Sequence, residues 1–147
     1  MITVRDLLRT KGDAVWFVTP STNVLEALKY MAEKDIGALL VLEGENLAGI
    51  ISERDFARMI AESGKCVVNA PIRDYMTTDV YTVSPDQTIA DCMRFMTDKH
   101  IRHLPVVETK KLVGMVSIGD VVKEIITNQS MIINRLENYI EGRGYGQ

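Results

Sequence analysis

Apolar and polar positions along this chain fall into short blocks that predict the same succession of elements twice. Residues 15–18 and 80–83 are β-rich, and each stretch ends at a proline turn, Thr19-Pro20 or Ser84-Pro85. The residue before a proline is pushed out of the helical region, so a strand stops there. Helical spacing follows, with Val24, Leu28 and Met31 on one face in the first block and Ile89, Cys92, Met93 and Met96 in the second. Asn23 is the expected N-cap of the first helix, and Thr88 with Asp91 forms a capping pair for the second. Two apolar runs come next, 38–42 with 47–51 and 104–107 with 112–116. They are joined by Glu43-Gly-Glu-Asn46 and Glu108-Thr-Lys-Lys111, which are polar and of hairpin length. A further helix begins at Ser-x-x-Asp in both blocks.

The two blocks superpose at a constant offset of 65 residues, from Pro20 to Pro85, without a gap over 15–56 and 80–121. Roughly a third of the paired positions are identical, the mark of an internal structural repeat. The β-α-β-β-α order, twice, predicts an α+β domain of two similar halves packed about an approximate twofold axis. Each small sheet has one face that only the other copy can cover, so the halves should form one cooperative unit. Val4-Arg-Asp-Leu-Leu8 is echoed by Ile72-Arg-Asp-Tyr-Met76 at an offset of 68, which places three extra residues near Lys11-Gly-Asp13. A stripe of Ile132, Ile133, Leu136 and Ile140 predicts an amphipathic helix over 131–141, with a fraying glycine-rich tail after it. The expected division is 1–65 for the first repeat with its lead-in segment, 66–128 for the second, and 129–147 for the terminal helix and tail.

Charge and composition narrow the partners. The 147 residues carry a net charge of −3 with 46% hydrophobic content, which suits a soluble globular protein and argues against nucleic acid or an anionic membrane. The apolar runs are too short to cross a bilayer, and the first residues lack the apolar stretch of a signal peptide. Cys66 and Cys92 have neither paired-ligand spacing nor the number for a disulfide framework, so a reducing cytoplasmic setting is expected. His100 and His103, the only histidines, point to opposite faces of an extended segment, and no metal site is expected.

The chemistry is concentrated in Gly49-Ile-Ile-Ser-Glu-Arg-Asp55 and Gly114-Met-Val-Ser-Ile-Gly-Asp120. A strand glycine allows close approach of another backbone or a ligand. The serine stands where a helix begins, with unpaired amides and a positive dipole end suited to phosphate. Aspartate three residues later can accept two hydrogen bonds from a ribose diol. The same Ser-x-x-Asp is also a capping box that needs no ligand, and duplication alone does not decide between the readings.

With Val80-Tyr-Thr-Val-Ser-Pro-Asp-Gln-Thr-Ile89, Ile101-Arg-His-Leu-Pro-Val-Val107 and their first-copy counterparts, the chain resembles a tandem CBS-domain protein, or Bateman module, of the small stand-alone signal-transduction kind. That resemblance implies a non-catalytic regulatory module that binds an adenine nucleotide (AMP, ADP, ATP or NAD, less readily S-adenosylmethionine) between its repeats. It implies that Asp55 and Asp120 hold ribose and that Ser52 and Ser117 reach phosphate or ribose. Ile101, Arg102, His103 and Pro105 would offer backbone and apolar surface to adenine, matched by Ile36, Gly37 and Ala38. Thr82 would line the cleft, whereas its mate Phe17 lacks the hydroxyl. Arg54, replaced by glycine in the second copy, is a phosphate partner for the first site, and Arg102 and His103 are candidates at either. Two sites of unequal affinity are therefore expected, together with homodimerisation and an effector protein reached through the terminal apolar stripe. The alternatives are a ligand-independent interaction module, in which both motifs only cap helices, and an enzyme, for which no nucleophile–base pair, Walker-type loop or metal cluster is evident.

Overall fold

In the computed structural model, which describes residues 1–140, both expected helix starts are capped. Asn23 Oδ1 accepts the Glu26 N–H at 2.8 Å. Thr88 and Asp91 exchange two hydrogen bonds, at 3.0 and 3.1 Å. The helices they open, α2 (Val24–Lys34) and α4 (Ile89–Lys99), end at paired left-handed residues, Asp35 and His100. After each helix comes an antiparallel hairpin, β2 (Ala38–Glu43) with β3 (Asn46–Ser52) and β4 (His103–Glu108) with β5 (Lys111–Ser117). The two hairpins even share a register shift, between Val41 and Leu42 and between Val106 and Val107. Helices α3 (Glu53–Ser63) and α5 (Ile118–Ile140) then leave directly from the serines of the two Ser-x-x-Asp motifs. The result is the expected α+β architecture of two similar halves.

One expected strand does not form. In the first half β1 (Phe17–Val18) lies parallel to β2, and the Leu40 N–H donates to the Trp16 carbonyl at 3.3 Å. The corresponding donor in the second half would be residue 105, which is proline and has no N–H. Of the stretch 80–83 only Val83 is bridged, to Val106. The single substitution of Leu40 by Pro105 thus removes the strand in which Thr82 was placed.

The lead-in segments are exchanged between the halves. Helix α1 (Val4–Lys11) precedes the first half yet packs on the second. Its Val4 and Leu7 belong to a core with Val83, Ile89, Cys92, Met96, Leu104, Val106, Val116 and Val121. Ile72, in a 3-10 turn (Ile72–Asp74) before the second half, is buried in the first with Val24, Met31, Leu39, Val41, Ile51 and Phe56. The backbone bonds repeat in kind. Val4 and Arg5 donate to the Gln87 and Pro85 carbonyls at 2.8 and 2.9 Å, as Ile72 and Arg73 donate to those of Thr22 and Pro20 at 2.8 and 3.2 Å. Arg5 adds ion pairs to Glu108 at 2.6 Å and to Asp86 at 3.2 Å.

Sheet alternation explains how the halves meet. Leu39 and Val41 face their own helices, so Leu40 points to the other face, and it is equally buried. Pro105 is its buried counterpart between Leu104 and Val106. Strand β3 lies against β5 across this junction.

The helix predicted over 131–141 is not a separate element. Residues 120–140 contain neither glycine nor proline, and α5 continues unbroken for 23 residues. Ile126, Ile132, Ile133 and Leu136 are exposed along it. The glycine-rich tail lies outside the described residues. Burial and the neighbouring Asp91 push the Cys92 thiol up to about 11, as suits a core side chain.

The strand glycines admit protein and not a ligand. A Cβ on Gly49 would stand 2.7 Å from the Thr77 carbonyl oxygen, whereas one on Gly114 would meet only the tip of Leu8, at 2.8 Å. A leucine tip can turn aside and a bridged backbone cannot. Gly49→Ala is therefore expected to destabilise by about 1–3 kcal/mol and Gly114→Ala by clearly less, as measured by urea unfolding; equal losses would contradict this packing.

Candidate functional site

Each Ser-x-x-Asp forms a capping box, and each box also receives a group from an exchanged lead-in segment. Asp55, only 9% exposed, accepts the Ser52 N–H at 2.8 Å and the Ser52 hydroxyl at 3.1 Å on one oxygen. Its other oxygen accepts the Thr77 hydroxyl at 3.1 Å. Thr77 is held there because its N–H and C=O both bond Ile50 of β3, at 2.9 Å each. In the second half Asp120 accepts the Ser117 N–H at 2.9 Å, and its own N–H donates to Ser117 Oγ at 3.2 Å. There the visitor is Lys11, whose Nζ donates to Asp120 at 2.6 Å and to the Met115 carbonyl at 2.7 Å. Burial alone would raise the Asp120 carboxyl, but Lys11 and Ser117 outweigh it and hold the group below its ordinary value.

Beside Asp55 a cavity of about 560 Å³ opens between the halves. Gly37, Ser52, Arg54 and Asp55 come to it from the first half, and Ile101, Arg102 and His103 from the second. Neither the N-cap amide nor the first helical amide is free for a ligand, since the Ser52 N–H is taken by Asp55 and the Glu53 N–H donates to the Gly37 carbonyl at 3.0 Å. The positive charge at the cavity comes from side chains. Arg54, Arg58, Lys99 and Arg102 line the cavity together with Glu53 and Asp55, an excess of positive charge. Arg54 also donates to the His100 carbonyl and so ties the two halves together. The Lys99 ammonium lies 5.4 Å from the centroid of Tyr81, which packs on Phe95. Trp16, Tyr30 and Lys34 repeat this cluster in the first half.

The other expected residues lie elsewhere. Ala38 and Pro105 are buried within the sheets, Thr82 is exposed outside the cavity lining, and Ile36 packs on the first core. Ser117 and Asp120 form the mirror-related box on the Lys11 side. Sequence reasoning missed Thr77, Arg58 and Lys99. Arg58 stands one helical turn after Arg54, a spacing that shares a face and would have revealed it. Thr77 lies outside the aligned repeat and carried no signal. His103 loses charge capacity here, because burial lowers its pKa against the raising effect of Glu53 and Asp120.

Against known proteins, the CBS-domain family profile matches residues 4–62 and 72–127, most of the chain. The chain belongs to the CBS-domain family. This CBS pair is 39% identical over 152 residues to the mitochondrial CBS domain-containing protein CBSX3 of Arabidopsis thaliana, covering 97% of this chain and 73% of that one. Among solved structures it resembles a CBS-domain-containing protein from Agrobacterium tumefaciens, with a TM-score of 0.80 and 35% identity over 83% of this chain and 98% of the other. It also resembles CBSX2 in complex with AMP, with a TM-score of 0.70 and 26% identity over 86% and 98% of the two chains. No helix among the described residues is long and apolar enough to cross a membrane.

The half-buried imidazole of the CBS pair yields a pH prediction. A folded-state pKa below the unfolded value contributes stability above the unfolded value, near 6.5, that is lost as pH falls through the folded one. The His103 ring protons followed by NMR should titrate below pH 6.5, and His103→Gln should flatten the stability profile on the acid side of about pH 6.5. A midpoint above 6.5 would contradict the burial described.

Proposed function

We propose that this CBS pair is a regulatory module that binds one adenine nucleotide in the Asp55 cavity and catalyses no reaction on it. The observation that carries the reading is the meeting of a buried carboxylate, two hydroxyls and four cationic side chains in one cleft between the halves. Asp55 can serve as both cap and ligand. A carboxylate offers about four lone-pair sites, and two of its three present donors are hydroxyls that can rotate to meet a ribose diol. Arg54, Arg58 and Arg102 supply charge-assisted bonds to phosphate. Ile101, with the backbone of Gly37, offers the apolar and backbone surface that a flat base needs. The complex of CBSX2 with AMP supports AMP as the first compound to test.

Arg54 would give the bound state a mechanical consequence. A phosphate that draws its guanidinium changes the tie to the His100 carbonyl, so occupancy favours one arrangement of the halves through differential contacts. The readout would be a second copy of this chain and an effector protein, reached along the exposed apolar stripe of α5. Two free thiols, one of them exposed, suit a reducing compartment such as the cytoplasm.

Thermal melting and calorimetry with AMP, ADP, ATP, NAD and S-adenosylmethionine test the reading. At least one nucleotide should raise the midpoint, with an affinity that weakens as salt is added. Asp55→Asn should lower that affinity by more than about tenfold, because hydrogen bonds to a charged group contribute about 1.5–3 kcal/mol. No stabilisation by any of the five compounds would overturn the proposal.

A further inference from the structure

The two capping carboxylates are equivalent in position and opposite in what reaches them. Asp55 receives a neutral hydroxyl from Thr77, and Asp120 receives the ammonium of Lys11. Both arrive on the exchanged lead-in segments, α1 in one case and the segment after the 3-10 turn in the other. Lys11 also bonds the Met115 carbonyl, the mate of the Ile50 carbonyl that the Thr77 N–H satisfies. The ion pair is sheltered, with side-chain exposures of 29% for Lys11 and 24% for Asp120. A hydroxyl can rotate away from a carboxylate when a sugar arrives. An ammonium that leaves must abandon a counter-charge in a half-buried place, which is costly.

The surroundings differ in the same sense. The mates of Arg54 and Arg102 are Gly119 and Gly37, so the Asp120 side lacks two of the four cations that line the Asp55 cavity. Where Glu53 and Ala57 line that cavity, Ile118 and Val122 line an apolar groove of about 520 Å³ along α5.

We infer that Lys11 is a built-in occupant of the second sugar position, so that each chain takes up a single nucleotide, on the Asp55 side. This rests on the nucleotide-binding reading of the Asp55 cavity and narrows the sequence expectation of two unequal sites. Lys34 and Lys123, the mates of Lys99 and Arg58, remain as phosphate partners once Lys11 is removed. The closure is thus assigned to one side chain and not to the whole half.

Stoichiometry measured by calorimetry and equilibrium dialysis with AMP tests this on the full chain. The wild type should bind one AMP, Asp55→Asn should lose it, and Asp120→Asn should keep it within about threefold. Lys11→Met, which preserves the aliphatic stem, should bind two, the second more weakly, while Lys11→Arg, which keeps the charge, should stay at one. Two AMP per wild-type chain, or one per Lys11→Met chain whose melting shows it folded, would overturn the inference and leave the Asp55 reading standing. Uptake by neither the wild type nor any variant would overturn both.

Discussion

The structure depends on an exchange. Neither half closes its own core, because the buried Val4 and Leu7 of the first lead-in segment sit in the second half and Ile72 of the later one sits in the first. Half-domains of this size bury too small a fraction of their surface to be secure alone. Here each also lacks residues of its own core until the other is in place. The three equivalent backbone bonds on either side show that the arrangement is a built feature of the duplicated fold.

The same exchange sets the chemistry of the cleft. Each lead-in segment runs on past its core residue to the strand glycine of the opposite half, where Met76 and Leu8 fill the space a Cβ would take. From there Thr77 and Lys11 reach the two capping carboxylates. A hydroxyl on one side and an ammonium on the other turn a nearly symmetric scaffold into an asymmetric one. Distribution of arginine follows suit, since Arg54 and Arg102 both face the Asp55 cavity and their mates are glycines.

Much of this was readable from residues alone, for identifiable reasons. The caps at Asn23 and Thr88, the hairpins and the helices springing from Ser52 and Ser117 are local patterns, and local patterns survive folding unchanged. Gly37, Ser52, Arg54, Asp55, Ile101, Arg102 and His103 line one cavity, because the approximate twofold brings their segments to one junction. What failed needed long-range information. Nothing local says on which half the Val4–Leu7 stripe docks, and without that Thr77 and Lys11 have no visible targets. The loss of the strand at 80–83 was foreseeable in principle, but only by asking which partner's N–H would bond the Tyr81 carbonyl and finding Pro105. The expected break before residue 131 rested on the end of the repeat, whereas the backbone has no breaker there.

Helix α5 begins at the Ser117–Asp120 box and runs 23 residues, roughly 35 Å at 1.5 Å per residue. It therefore behaves as a lever whose fulcrum is its first turn. A rotation of about ten degrees at the root, too slight to disturb the capping bonds, would carry the far end through about 6 Å on that rise per residue. A rearrangement of the halves small enough to escape notice at the cleft would thus arrive at Ile140 as a displacement about as wide as a helical turn.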